Sequence, residues 1–84
     1  MLTIESIAQE LNQNLNPRIR LSLAQAERHK LIEYHHGFGT AIRNQYKLWE
    51  VPVYAKDGSK MHPDDVSYEI ILRLHEIVKG SYVS

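Results

Sequence analysis

The sequence predicts a mainly α fold, a compact bundle of about four helices with a short irregular or hairpin-like segment near residues 50–61. Three observations predict it. Apolar residues recur at helical spacing through several blocks. The blocks are bounded by residues that start or stop helices. The stretch Val51-Pro52-Val53-Tyr54-Ala55 cannot be a central strand, because proline lacks the amide donor a strand ladder needs.

Thr3 is placed to cap the first helix, with Glu5 near the positive end of its dipole. Ile4, Ile7, Ala8, Leu11 and Leu15 make its apolar face, and Asn16-Pro17 stops it. Arg18-Ile19-Arg20-Leu21 reads as a linker. Ser22 and Gln25 have the spacing of a capping box at the start of a second helix. Along that helix Ala24, Glu27, Leu31, Tyr34 and His35 lie near one face, with Ile32 beside them, and Gly37 is its left-handed stop.

Gly37-Phe38-Gly39-Thr40 is a tight connection, and Gly39 or Thr40 opens a third helix in which Ile42, Tyr46 and Trp49 share a face. Lys56-Asp57-Gly58-Ser59-Lys60 is a turn, with Tyr54 and Met61 facing each other across a short hairpin. The last helix starts at Pro63, where no backbone donor is missed, and Asp64 and Asp65 sit at its positive end. Val66, Ile70, Leu74, Ile77 and Val78 form its buried face, and Gly80 ends it after Lys79.

The chain has 84 residues, read as one domain over 1–84, with a core too thin for a deep enclosed site. Lys plus Arg equals Asp plus Glu, ten against ten, which argues against a protein that coats nucleic acid generally. There is no cysteine, hence no disulfide framework or thiolate metal site. No apolar run spans a bilayer, and the N-terminus lacks the pattern of a signal peptide, so the expected location is the cytoplasm.

The string His36-Gly37-Phe38-Gly39-Thr40-Ala41-Ile42-Arg43-Asn44, then Leu48-Trp49, then His62-Pro63-Asp64-Asp65-Val66-Ser67, resembles a small bacterial domain family of unknown function. The resemblance covers roughly residues 3–80. It departs in a short segment between Trp49 and His62 and in Tyr46, where a second aromatic or a tryptophan is usual. It implies a real domain and carries no activity, cofactor or catalytic residue with it.

The residues themselves offer two readings of one motif. As a ligand site, His36, Gly37, Gly39, Thr40, Arg43 and Asn44 would hold a small anionic or nucleotide-like molecule. A helix start attracts an anion, small residues let it approach the backbone, and Arg43 adds a guanidinium fork. As a structural clamp, Arg43 pairs with Asp64 or Asp65, and Trp49 and His62 pack around the helix start. His62 then caps the last helix, and Tyr46 and Trp49 belong to the core.

The leading expectation is a non-catalytic module that binds a small anion, with a homo-oligomer able to complete the site. The alternative is a protein–protein adaptor, with Phe38, Val51, Val53 or Tyr82 as exposed apolar contacts. A metal-assisted hydrolase built on His35, His36, His62 and Asp64 or Asp65 ranks third, because no metal-binding spacing joins these residues. No cofactor and no resident metal are expected. Arg18, Arg20, Arg28 and Lys30 form a basic cluster opposed locally by Glu27, read as a solvated face that could widen an anion-binding surface.

Overall fold

Thr3 folds the chain into helix at once. Its hydroxyl accepts the Ser6 amide while Ser6 Oγ accepts the Thr3 amide, a reciprocal cap at the head of α1 (Ile4–Gln13). The computed structural model describes residues 3–34 and 36–83, with side chains through residue 80. His35 lies outside the described residues, as does the side chain of Tyr82. Ile7, Ala8 and Leu11 bury the inner face of α1.

The predicted linker at 18–21 is helix instead. Asn16 caps α2 (Pro17–Gln25) by accepting the Arg18 amide at 2.8 Å, and Pro17 sits at the first helical position. Proline's missing donor is harmless there and its fixed φ suits the helix, so Asn16-Pro17 starts a helix after α1 has already ended at Gln13. Ser22 is therefore interior, and its hydroxyl bonds that of Tyr34. Residues Arg28–Tyr34 follow as a 3-10 segment, not as the predicted α-helix, with Leu31 fully buried and Ile32 exposed. The tighter winding puts neighbours at i and i+3, so Ile32 leaves the apolar face.

Gly37 does not adopt the left-handed conformation expected of it. Its φ is −93°, and it is the N-cap residue of α3 (Phe38–Gln45), which begins one or two residues earlier than predicted. The end of α3 is also earlier, and the cause is local. Lys47 takes φ +52°, its amide bonds the Asn44 carbonyl, and the Leu48 amide bonds the Arg43 carbonyl. These two bonds close a Schellman turn with Leu48 buried behind it. The turn carries Trp49 off the helix and leaves it 63% exposed, which overturns its placement in the core. Lysine has a Cβ penalty in this conformation, so Lys47→Gly is expected to stabilise the protein by about 0.5–1 kcal/mol in urea unfolding; a destabilised variant would show that Lys47 contributes by its side chain.

The connection from 46 to 61 contains one isolated antiparallel bridge, Tyr54 to Lys60. Met61 donates its amide to the Val53 carbonyl, so the pairing is one residue off the predicted Tyr54–Met61 register. Gly58 at φ +88° and the Asp57 carboxylate, which accepts both the amide and the hydroxyl of Ser59, form the turn. Those bonds, the hydroxyl's first, hold the Asp57 carboxyl below the usual carboxylate range. Val53 is buried, not a surface contact, and Phe38 packs against the core.

Everything else packs on α4 (Pro63–Val83). α1, α2, α3 and the 3-10 segment all contact it. Val66, Ile70, Ile71, Leu74 and Val78 are buried along its length. It runs through Gly80 rather than stopping there. The radius of gyration, 12.3 Å, is near the value of about 12 Å for a compact chain of this length. Among the described residues, no helix is long and apolar enough to cross a membrane.

Polar bonds pin the outer helices to this frame. Arg20 bonds the side chain and carbonyl of Asn12 across the α1–α2 corner. His75 is buried in α4 and its Nε2 meets the Ala26 carbonyl at 3.0 Å, where α2 ends. Tyr46 donates to Glu10 at 2.9 Å; burial, then that bond, pushes its phenol up to about 12. Arg73 grips Glu5 through Nε and Nη2, and with help from Gln9 this holds the Glu5 carboxyl down at about 2. A carboxyl titrating near 2 when folded and 4.5 when free contributes fully above pH 4.5 and less as pH falls toward 2. Glu5→Gln is expected to flatten the fall of Tm over that window, as read by thermal unfolding at a series of pH values. An unchanged slope would dissociate this pair from acid sensitivity.

Candidate functional site

Arg43 is the centre of the motif. It stands on the last turn of α3 with its side chain only 11% exposed, facing the first turn of α4. Each guanidinium nitrogen is engaged. Nη1 donates to Ser67 Oγ at 2.8 Å and Nη2 to Thr40 Oγ1 at 2.8 Å, while Nε lies 3.5 Å from Asp64 Oδ1.

The two hydroxyls do the same thing on opposite sides. Thr40 accepts from Arg43 and donates to the His36 carbonyl at 2.7 Å. Ser67, fully buried, accepts from Arg43 and donates to the Asp64 carbonyl at 2.9 Å. One guanidinium thus joins the chain entering α3 to the first turn of α4. The planar fork of arginine makes this possible; an ammonium on a flexible stem does not present the same directions.

Asp64 also lies at the positive end of α4, where a carboxylate is favoured. Its amide donates to His62 Nδ1 at 3.1 Å, so His62 satisfies one of the orphan donors at the helix start. His62 meets the ring of Trp49 edge-on, with centroids 5.6 Å apart and planes at 85°. That is an aromatic pair at the surface, joined to the Arg43 network through Asp64. Asp65 is exposed and takes no part in that network, so the carboxylate that Arg43 reaches is Asp64.

Of the residues predicted as a ligand site, Thr40 and Arg43 are joined to each other. Asn44 is exposed, and Gly39 is buried in α3. Gly37 is exposed, with nothing within 4 Å of where a Cβ would stand. Neither its backbone angles nor its surroundings require glycine. Sequence reasoning missed Ser67 as an Arg43 partner and His75 as a buried bond. Ser67 lies one turn after Asp64, so its position facing Arg43 was available from the pairing itself.

Among the described residues, no three His, Cys, Asp or Glu side chains are grouped so as to hold a metal ion. A shallow cavity of about 410 Å³ opens beside the Trp49–His62 pair, lined by Leu48, Trp49, Lys60, Met61, His62 and Pro63.

A family model described as Domain of unknown function (DUF6794) matches residues 3–77. The chain belongs to this family. The span of the DUF6794 match takes in the Arg43 network, the Trp49–His62 pair and most of α4. No curated protein and no solved structure matches the chain.

Proposed function

We propose that this DUF6794 chain is a small non-catalytic module that binds a protein partner, with the Arg43 network serving as a clamp inside the fold. The observation that carries the reading is the contrast between Arg43 and Trp49. All three nitrogens of Arg43 are committed to partners within the chain, so the fork expected to meet an anion is already occupied. Trp49, 63% exposed, presents a large apolar ring on the rim of a cavity. Exposed tryptophan is enriched at the energetic centres of protein interfaces. The cysteine-free composition fits action in the cytoplasm.

A photo-crosslinking amino acid at position 49, compared with one at Lys79 on the exposed end of α4, tests this reading in a lysate of the producing cells. The expected result is a protein adduct of defined mass from position 49 and not from 79. Indistinguishable labelling at the two positions contradicts the reading. Light scattering separates a foreign partner from a second copy of the chain.

One observation favours a second reading, a small anion at the start of α3. Gly37 is exposed and needs no glycine for its own sake, which is how a backbone kept open for a ligand would look. Thermal shift against phosphate, pyrophosphate and a nucleotide panel decides between them. The partner-binding reading expects no saturable stabilisation; a shift lost in Gly37→Val would move the site to α3.

A further inference from the structure

The cavity beside Trp49 differs in charge from two other clefts of the described residues. Its floor and walls are apolar where Leu48, Met61 and Pro63 contribute, and Leu48 is buried. Its polar residues are Lys60 and His62, and no carboxylate lines it. Among the described residues, no carboxylate lies within ion-pair distance of Lys60. The nearby Asp64 carboxylate divides between Arg43, 3.5 Å from one oxygen, and His62 Nδ1, 3.8 Å from the other, and does not line the cavity.

Two other clefts are different. The cleft between α1, the hairpin and α4 has carboxylates Glu5, Glu69 and Glu76 among its walls, together with Arg28, Lys56 and Arg73. The cleft over the 3-10 segment has Glu27 and Glu33 beside Lys30. The first is balanced in sign, and the second carries one more carboxylate than cations. Among these three clefts, the Trp49 cavity combines an exposed aromatic ring, an apolar floor and a lysine with no carboxylate in ion-pair distance.

We infer that the cavity bounded by Trp49, Lys60 and His62 receives an acidic peptide segment of a partner protein, anchored by one apolar or aromatic side chain. This rests on the partner-binding reading above and names the partner's chemistry. The anchor would fill the space over Leu48 and Met61 and stack against Trp49. A carboxylate beside the anchor would meet the Lys60 ammonium. His62 holds its place through the Asp64 amide, with its ring near-perpendicular to that of Trp49, and this fixes one wall of the cavity in advance.

The test uses the full chain and fluorescently labelled, end-blocked short peptides, followed by anisotropy. One has a central phenylalanine flanked by glutamates, a second replaces the glutamates with lysines, and a third replaces the phenylalanine with alanine. Saturable binding of the first is expected, at least about tenfold tighter than either of the others. Lys60→Glu is expected to weaken it about tenfold, and added salt to reduce the difference, because exposed charges are screened beyond about 10 Å at 0.1 M. Trp49→Ala should remove binding, and Lys30→Glu, a charge reversal at an exposed lysine in another cleft, should leave it intact. Circular dichroism of each variant separates lost binding from lost fold.

Equal or tighter binding of the lysine peptide overturns the acidic partner while leaving a protein-binding site at Trp49. Failure of all three peptides to saturate overturns the inference, and the crosslinking at position 49 judges the broader reading by itself. A single-stranded oligonucleotide binding more tightly than the first peptide also overturns the inference.

Discussion

Leu74→Ala is expected to remove a large part of the protein's stability. Leu74 is fully buried at the middle of α4, the helix on which every other helical element packs. Truncating a buried leucine to alanine costs about 2–5 kcal/mol, from lost transfer free energy and from the cavity left behind. A chain of this length has a total stability on the order of 4–13 kcal/mol. The substitution is therefore expected to cost about a third to a half of it in urea unfolding followed by circular dichroism. Leu21→Ala, at a residue 48% exposed, should stay within about 0.5 kcal/mol of the parent. A loss below about 1 kcal/mol at Leu74 would contradict the central role given to α4.

The second large effect is expected at Arg43. Arg43→Ala deprives Thr40 and the buried Ser67 of a charged donor and leaves Asp64 without its partner. Hydrogen bonds to charged groups contribute about 1.5–3 kcal/mol each in favourable sites. Asp64 is 47% exposed, so water recovers part of its loss, and about 2–4 kcal/mol is the expected total. For a domain of this size that lowers Tm by about 8–32 °C. Arg43→Lys keeps the charge but cannot engage both hydroxyls and the carboxylate together, so about half that fall is expected. An unchanged Tm in Arg43→Lys would remove the clamp from the account.

The helical class and the beginning of α4 were legible because their signals are local and concordant. Pro63, two aspartates and an apolar stripe at helical spacing all agree. The joining of α3 to α4 through Arg43 was legible as a charge pairing, although the choice of Asp64 over Asp65 depends on which side of the helix start faces α3. The misplacements came from residues with more than one use. Pro17 can end one helix or begin another, and only the Asn16 cap distinguishes them.

Ser22 and Gln25 have capping spacing but fall inside and at the end of α2. Lys47 carries no sign of the left-handed turn it makes, so periodicity alone extends the helix to Trp49. The exposed ring on which the proposed function rests is hidden by that periodicity. Trp49 counted as core because aromatic residues at helical spacing normally are; the Schellman turn breaks the spacing before it reaches Trp49. The charge asymmetry of the cavity was equally hidden, since Leu48-Trp49 and Lys60–Pro63 meet only once the connection between them folds back.

The central claim is that Arg43 belongs to the fold through its bond to Ser67 rather than to a ligand. A double-mutant cycle of Arg43→Ala and Ser67→Ala, measured by urea unfolding, tests it most directly. The account predicts a coupling of at least about 1 kcal/mol between the two positions. Effects that add to within about 0.3 kcal/mol would show that the 2.8 Å bond holds nothing together, and would contradict the claim.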